Sequence, residues 1–400
     1  MLLAKKILEK AIQTGLSTGA DFAEVFVEDK IAESLQMISG RVEKANSQKI
    51  FGVGIRLALG LQSVYGYTNS KNPDELIKLA SDLSKSFDNE KKTMPAPLGA
   101  PEVGTHHKAK ISPRSVSRVD KVALLRKAYD AAKNYDPVIT QVQASLTDSV
   151  QNVLIANSEG RFVADERTYV RFYCIAIAGK DGVMQMGLEG PGAAKGYEYF
   201  YEDIDIEESA RDAARTAKTM LFAEDCPSGI MPVIINNKFG GVIFHEACGH
   251  SLEATSVAKN ASVFCGKLGK QVASPIVNAI DDGTIENGWG SANFDDEGYP
   301  QQRRVLIENG ILKTYMVDKL NARRMDHPTT GSSRRESYKY APTSRMSNTF
   351  IDNGTSTFDE IIAATDYGLF AAKMGGGSVN PGNGDFNFSV SEGYIVRNGK

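Results

Sequence analysis

The sequence predicts an α+β fold: an N-terminal domain of helices packed on antiparallel sheets, then a C-terminal β-rich domain of barrel or sandwich type. Three observations carry this prediction. A block of helix, several strands and helix occurs twice before residue 225, which predicts topological duplication without visible sequence identity. Cys226-Pro227-Ser228-Gly229 is a cluster of chain breakers that separates a domain over 1–225 from one over 226–400. Past residue 270 hairpin signals dominate, the clearest being Asn309-Gly310 between Leu306-Ile307-Glu308 and Ile311-Leu312.

In the first block, Leu3, Ile7, Leu8, Ala11 and Ile12 share one face of a helix that stops near Gly15. Phe22 to Val27 and Leu35 to Ile38 read as short strands. Phe51, Val53, Ile55, Leu57 and Leu59 alternate with Gly52, Gly54, Arg56 and Ala58 as a half-buried strand, and Leu61 to Tyr67 follows. Asn72 caps a helix with Pro73 at its first position, reaching about Phe87. Prolines 95, 97, 101 and 113 make 91–115 an exposed loop, where the adjacent His106 and His107 are badly placed to share one ion.

The second block opens with a helix over 118–134 and a strand that turns Val138, Val142 and Leu146 inward. Turns at Asn157-Ser158-Glu159-Gly160 and Lys180-Asp181-Gly182 flank further strands, including the apolar Tyr169 to Ala178. Ala210, Ala213, Ala214, Ala217 and Leu221 then line one face of a closing helix. After the boundary, Met231 to Asn236 reads as a buried strand, and Phe239-Gly240-Gly241 leads into a helix. Asp281-Asp282-Gly283 and Asp295-Asp296-Glu297-Gly298 read as solvated acidic turns, since neither has the ligand spacing of a calcium loop. Near the end Phe386, Phe388 and Val390 alternate with Asn387, Ser389 and Ser391, and Arg397-Asn398-Gly399-Lys400 sets up a hairpin turn. A turn without its returning strand leaves backbone groups unpaired, so the reading is of a chain cut short of its natural C-terminus.

Composition narrows the function. With 42% apolar and 24% charged residues the chain is an ordinary globular mix, which excludes disordered and fibrous classes. A net charge of −3 offers no basic footprint, so nucleic acid is not an expected partner. Four cysteines are too few for a disulfide scaffold and fit a reducing compartment. Charges interrupt the apolar pattern of residues 1–10, leaving no signal-peptide core, and no apolar run approaches the ~18 residues of a membrane span. A soluble, cytoplasmic protein with no membrane partner is expected.

Chemistry concentrates in Val242-Ile243-Phe244-His245-Glu246-Ala247-Cys248-Gly249-His250. Neutral imidazoles suit a borderline ion such as Zn²⁺, and a carboxylate beside the ion can deprotonate a water. The usual zincin spacing of four puts two histidines about 40° apart around a helix. Here the spacing is five, which on a regular helix gives about 140°. His245 and His250 converge only if the turn carries a π-bulge or the helix opens at Gly249. The motif therefore predicts a local distortion.

Taken with Gly52-Val53-Gly54-Ile55-Arg56, Leu252-Glu253, Phe294-Asp295-Asp296-Glu297-Gly298, Gln302-Arg303, Arg345-Met346-Ser347-Asn348-Thr349, and Gly375-Gly376-Gly377 through Asn380-Pro381 to Gly384-Asp385-Phe386, this motif resembles the TldD/PmbA metallopeptidases. The resemblance covers nearly the whole chain and is to the subunit type that keeps HExxxH. It implies a zinc-dependent peptidase acting on small peptides or unfolded protein segments, with an enclosed site in a homodimer or in a heterodimer with a PmbA-like subunit. His245 and His250 match the metal ligands and Glu246 the motif glutamate. The resemblance places the third ligand at a cysteine beyond residue 400; none of Cys174, Cys226, Cys248 and Cys265 occupies that position.

The expected chemistry is metal-assisted peptide hydrolysis, with Glu246 as general base and the substrate bound extended along a strand edge. Glu253 is a stand-in third ligand only if the helix continues past His250. The alternatives are a non-catalytic partner or regulatory subunit and a metal-dependent amidase acting on small molecules. The first has no reason to keep all three motif residues.

Overall fold

The computed structural model describes residues 2–90 and 93–400; Lys91 and Lys92, at the start of the loop expected over 91–115, lie outside the described residues. Helix α1 (Lys5–Gly15) precedes strands β1 (Phe22–Ile38), β2 (Arg41–Leu59) and β3 (Gln62–Thr68), and α2 (Pro73–Ser84) follows. After the short β4 (Glu102–Val103), α3 (Arg118–Lys133) leads into β5 (Ile139–Asn157), β6 (Phe162–Lys180), β7 (Val183–Glu189) and β8 (Gly192–Ala193), and α4 (Ile206–Leu221) closes the series. These strands make one sheet in the order β3-β2-β1-β5-β6-β4, with β7 and β8 also paired to β6. All pairings are antiparallel except β4 on β6.

Two expected short strands are one. β1 runs unbroken from Phe22 to Ile38, because β2 and β5 bond its polar middle from both edges, Ala32 lying opposite Gln48 and Ser149. Alternation gives that middle its reason. Glu24, Phe26 and Glu28 face the C-terminal half, and the next residues on the same face, Lys30, Ala32 and Ser34, line an open cleft. Tyr169 to Ala178 is likewise only the second half of a 19-residue strand, β6.

Helices cover the opposite face. Leu8, Ile12 and Leu76 pack with Leu57 and Val27, while Leu125, Ala210 and Ala213 pack with Val142 and Phe172. Each large apolar side chain buried this way stabilises the fold by about 1.5–3 kcal/mol. Asn72 accepts a hydrogen bond from the Asp74 N–H at 3.0 Å, the expected cap.

The C-terminal half is built from short pieces. β9 (Val233–Ile235), α5 (Val242–Phe244) and α6 (Ala254–Val257) come first. They are followed by β10 (Ala279–Asp282), β11 (Arg303–Glu308), β12 (Ile311–Leu312), α7 (Lys319–Met325), β13 (Ser333–Arg334), β14 (Thr343–Ser344) and β15 (Thr349–Ile351). Helix α8 (Phe358–Ala363) precedes the long hairpin of β16 (Tyr367–Val379) and β17 (Phe386–Arg397). The strands fall into separate sheets, β12-β11-β10-β15, β13-β14 and β17-β16-β9, so the expected barrel is not formed and the fold is a mixed α/β one with open sheets. The Asn309-Gly310 turn forms as expected, with φ of 50° and 78°. Arg397 and Lys400 exchange backbone hydrogen bonds of 2.8 and 3.1 Å around a second such turn, with Asn398 and Gly399 at positive φ.

Two further expectations fail. The strand over Met231 to Asn236 is not buried: Val233 and Ile235 are 49% and 40% exposed, because β9 sits at a sheet edge with β16 as its one bonded neighbour among the described residues. The acidic turns are not solvated. Asp281, Asp295, Asp296 and Glu297 are all at most 4% exposed. Burying a carboxylate is tolerated when it is paired or hydrogen-bonded, and each of these is. Asp281 holds Arg304 (2.5 Å) and the Ser347 N–H (2.7 Å), and Asp295 accepts three backbone N–H bonds. Asp296 takes Arg167 of β6 (2.6 Å), and Glu297 takes Arg56 of β2 (2.6 Å). The last two bonds fasten the C-terminal half to the sheet.

Candidate metal centre

The His-bearing segment is a continuous run of turns of three kinds. A 3₁₀ turn (Lys238–Gly241) leads into α5, a π turn spans His245–Gly249, and a 3₁₀ turn spans His250–Leu252. The predicted distortion is there. The N–H of His250 donates to the carbonyl of His245, the i→i+5 bond that stacks those two residues on one side of the segment. Their rings lie edge to face with centroids 4.9 Å apart. Phe244 and Leu252, both buried, anchor the segment in the C-terminal core on either side.

Gly249 contributes by absence of a side chain rather than by an unusual φ. Its backbone is helical (φ −55°), but a β-carbon there would overlap the sulfur of buried Met346. Met346 belongs to Arg345-Met346-Ser347-Asn348-Thr349, and its neighbours are tied down: Ser347 and Thr349 donate to Asp281, and Asn348 donates to Ser291. The same segment thus braces the turn from outside.

His245, Glu246 and His250 offer three ligand atoms within 4.8 Å of one another, all half-buried. Burial first, then the neighbouring His250, holds the His245 imidazole below its ordinary value, against the pull of Glu246 and Glu253; the ring therefore stays neutral and ligand-competent. Glu253, weighed above as a stand-in ligand, lies on the wrong side for that. The helix breaks at Glu253 (ψ 128°), and its carboxylate meets His250 at Nδ1, 3.2 Å away. With Nδ1–H donated to that carboxylate, Nε2 presents its lone pair to the site, the arrangement typical of metal-binding histidines. Nε2 then faces a Glu246 carboxylate oxygen 3.6 Å away. Two electron-rich atoms facing each other suit a cation, and imidazole with carboxylate suits zinc. Arg345 backs Glu253 at 3.7 Å. None of the four cysteines joins the group among the described residues, and burial pushes the Cys248 thiol up, away from the thiolate form. His106 and His107 stay in their loop, where His107 accepts the Asn287 N–H through Nδ1.

A cleft of about 630 Å³ is lined in part by Arg345 and Met346, which lie against Glu253 and Gly249 of the His-bearing segment. Its floor is the outer face of β2-β1-β5, where Ser34 lies opposite Asn46 and Thr147; its wall carries Trp289, Arg334 and Met346. Sequence reasoning missed this floor, because its polar alternation lacks the apolar partner face that marks a strand.

Three comparisons bear on the fold and the site. Family models described as PmbA/TldA metallopeptidase domain 1, central domain and C-terminal domain match residues 23–86, 111–221 and 228–400. The chain is 35% identical over 386 residues to a metalloprotease TldD homolog of Buchnera aphidicola and 36% identical over 386 residues to one of Haemophilus influenzae; each alignment covers 95% of this chain and 80% of the relative. A metalloprotease of Methanocaldococcus jannaschii is 33% identical over all of this chain and 87% of its own. Among solved structures, a Thermotoga maritima protein superposes with a TM-score of 0.82 at 23% identity, covering 99% of this chain and 89% of that one. TldE from Thermococcus kodakarensis superposes with a TM-score of 0.78 at 20% identity, covering 98% and 88%. No helix among the described residues is long and apolar enough to cross a membrane. With its models matched along most of the sequence and TldD homologues aligned over nearly all of it, this chain belongs to the PmbA/TldD family of metallopeptidases.

Proposed function

We propose that the protein is a zinc-dependent peptidase that hydrolyses peptide bonds in small peptides or unfolded protein segments. His245 and His250 are its metal ligands and Glu246 is its general base. The observation that carries the proposal is the π turn, which brings two histidines five apart onto one side with Glu246 beside them. When bound, the ion supplies Lewis-acid polarisation of a water and of the scissile carbonyl. Glu246 takes the water's proton and returns it to the leaving amine nitrogen. Glu253 fixes the tautomer and ring orientation of His250, and burial keeps His245 neutral. The cleft beside the centre is where an extended peptide lies. A homodimer or a heterodimer with a PmbA-like subunit is the assembly we propose, and the TldE-like fold supports it.

The alternative is a non-catalytic partner subunit, which has no use for His245, Glu246 and His250 together. The test is metal content with peptide cleavage. His245→Ala and His250→Ala should each lose bound zinc and activity together; full zinc stoichiometry in both variants overturns the assignment.

A further inference from the structure

The charges lining the cleft do not balance. Arg167 is paired with Asp296, and Arg304 with Asp281. On the acidic side, Asp148 and Glu33 share Lys121 at 2.7 and 2.9 Å, and Arg118 lies 3.7 Å from Glu33. Asp295 is satisfied by backbone N–H groups, and burial, with Glu297 beside it, pushes its carboxyl well above the usual range. Two cations remain, Lys30 on the floor and Arg334 on the wall, neither with an ion pair among the described residues. Arg345 is held only by its 3.7 Å contact to Glu253.

Arg334 is also the side chain with the firmest root. The preceding N–H, of Ser333, donates to Asp295, and the following N–H, of Arg335, donates to Asp296. Arg334 itself pairs with Thr343 in the β13–β14 ladder. An exposed arginine usually ends a mobile arm in water; this one lines the cleft from a backbone clamped by two buried carboxylates. Met346, in the same wall, lies against Gly249 of the π turn, so this wall borders the metal centre. A guanidinium so placed, with an ammonium on the facing floor, matches a carboxylate.

Resting on the peptidase reading above, we propose that Arg334, supported by Lys30, is a specificity-determining residue that binds a carboxylate of the peptide substrate and selects acidic segments or free C-termini. The shared chemistry is a carboxylate; its source is either an Asp or Glu side chain or the terminal carboxyl. Neutral floor groups such as Ser34, Asn46 and Gln48 leave the rest of the peptide to hydrogen bonds without a charge preference.

Binding of fluorescein-labelled peptides to the Glu246→Gln protein, measured by anisotropy in the presence of a chelator, tests this without help from the ion. Three peptides of one length are compared: a Glu-containing peptide with a free C-terminus, its Gln counterpart, and its C-terminal amide. The charged peptide should bind about tenfold or more tightly than whichever neutralised form removes the recognised carboxylate, the scale of one charge-assisted contact. Loss with Gln identifies the side chain, and loss with the amide identifies the terminus. Arg334→Gln should bring that ratio close to one, Arg334→Lys should keep part of it, and Lys30→Gln should reduce it less. Melting curves check that the variants are folded. A ratio unchanged in folded Arg334→Gln overturns the proposal, as does equal binding of all three peptides to the parent. If the metal-loaded wild type cleaves none of the peptides, the peptidase reading fails, and the binding ratio still decides the subsite.

Discussion

Strands β2, β5 and β6 are each 19 residues long, whereas those from β9 to β15 have two to six. The long strands carry apolar layers under helices, where Leu8, Leu125, Phe172 and Ala213 are fully buried. The short ones surround a core of their own, around Phe244, Leu306 and Met316, and are fixed in place by buried charges such as Asp281 with Arg304 and Glu297 with Arg56. Apolar packing is non-directional and gives a broad, stiff platform. Paired charges and backbone-bonded carboxylates are directional, so they can hold an irregular segment in one geometry. The metal centre sits in the second kind of structure.

Five substitutions tell the two kinds of structure apart, the strongest first. Glu246→Gln should lower peptide turnover by roughly 10²–10⁴-fold while zinc stays bound and the melting temperature stays near that of wild type. Near-normal turnover would move the general base elsewhere. Next come a pair of stability changes. Phe172→Ala should cost about 3–5 kcal/mol by opening a cavity under the helices, and Arg56→Met should cost about 3–5 kcal/mol by leaving Glu297 buried without its cation and Glu24 with Arg335 alone. Only Arg56→Met should loosen the metal centre as well, read as weaker zinc binding in the folded variant. Equal zinc affinity in both would mean that the charge network does not position the site.

Gly249→Ala should cost about 1–3 kcal/mol from overpacking against Met346 and reduce zinc affinity, because the π turn must shift to make room. A crystal structure with the turn unmoved would refute this. The smallest effect lies where α4 meets the β16–β17 hairpin. Burial alone would raise the Asp212 carboxyl, but hydrogen bonds from Lys373 and Arg215 outweigh it and pull it down to about 2. A depressed folded value means stability that is present above the unfolded value near 3.8 and lost as pH falls toward 2. For so partly exposed a pair about 1 kcal/mol is expected. Asp212→Asn should therefore be less stable than wild type at pH 6, and the gap should close as pH falls through 2, measured by denaturant unfolding; a difference that persists well below pH 2 would assign the effect to packing.

Residue pattern by itself determined helices α1 to α4 and the cap at Asn72, the inward faces of α1 and α4, the hairpin turns at Asn157-Ser158-Glu159-Gly160 and Asn309-Gly310, and the need for a distorted turn between His245 and His250. Each of these is a local matter, set by side-chain period, a cap or a turn residue a few positions away. Tertiary structure decided the rest. It joined the two halves of β1 across a polar stretch, left β9 exposed at a sheet edge, and kept the C-terminal sheets open. It also buried Asp295-Asp296-Glu297, because the cations that pay for that burial, Arg56 and Arg167, come from strands more than a hundred residues earlier. It moved Glu253 from the ligand set to the back of His250 through a single extended residue. A charge's burial depends on a partner that sequence spacing does not reveal, and the cleft exists only where two halves of the chain meet.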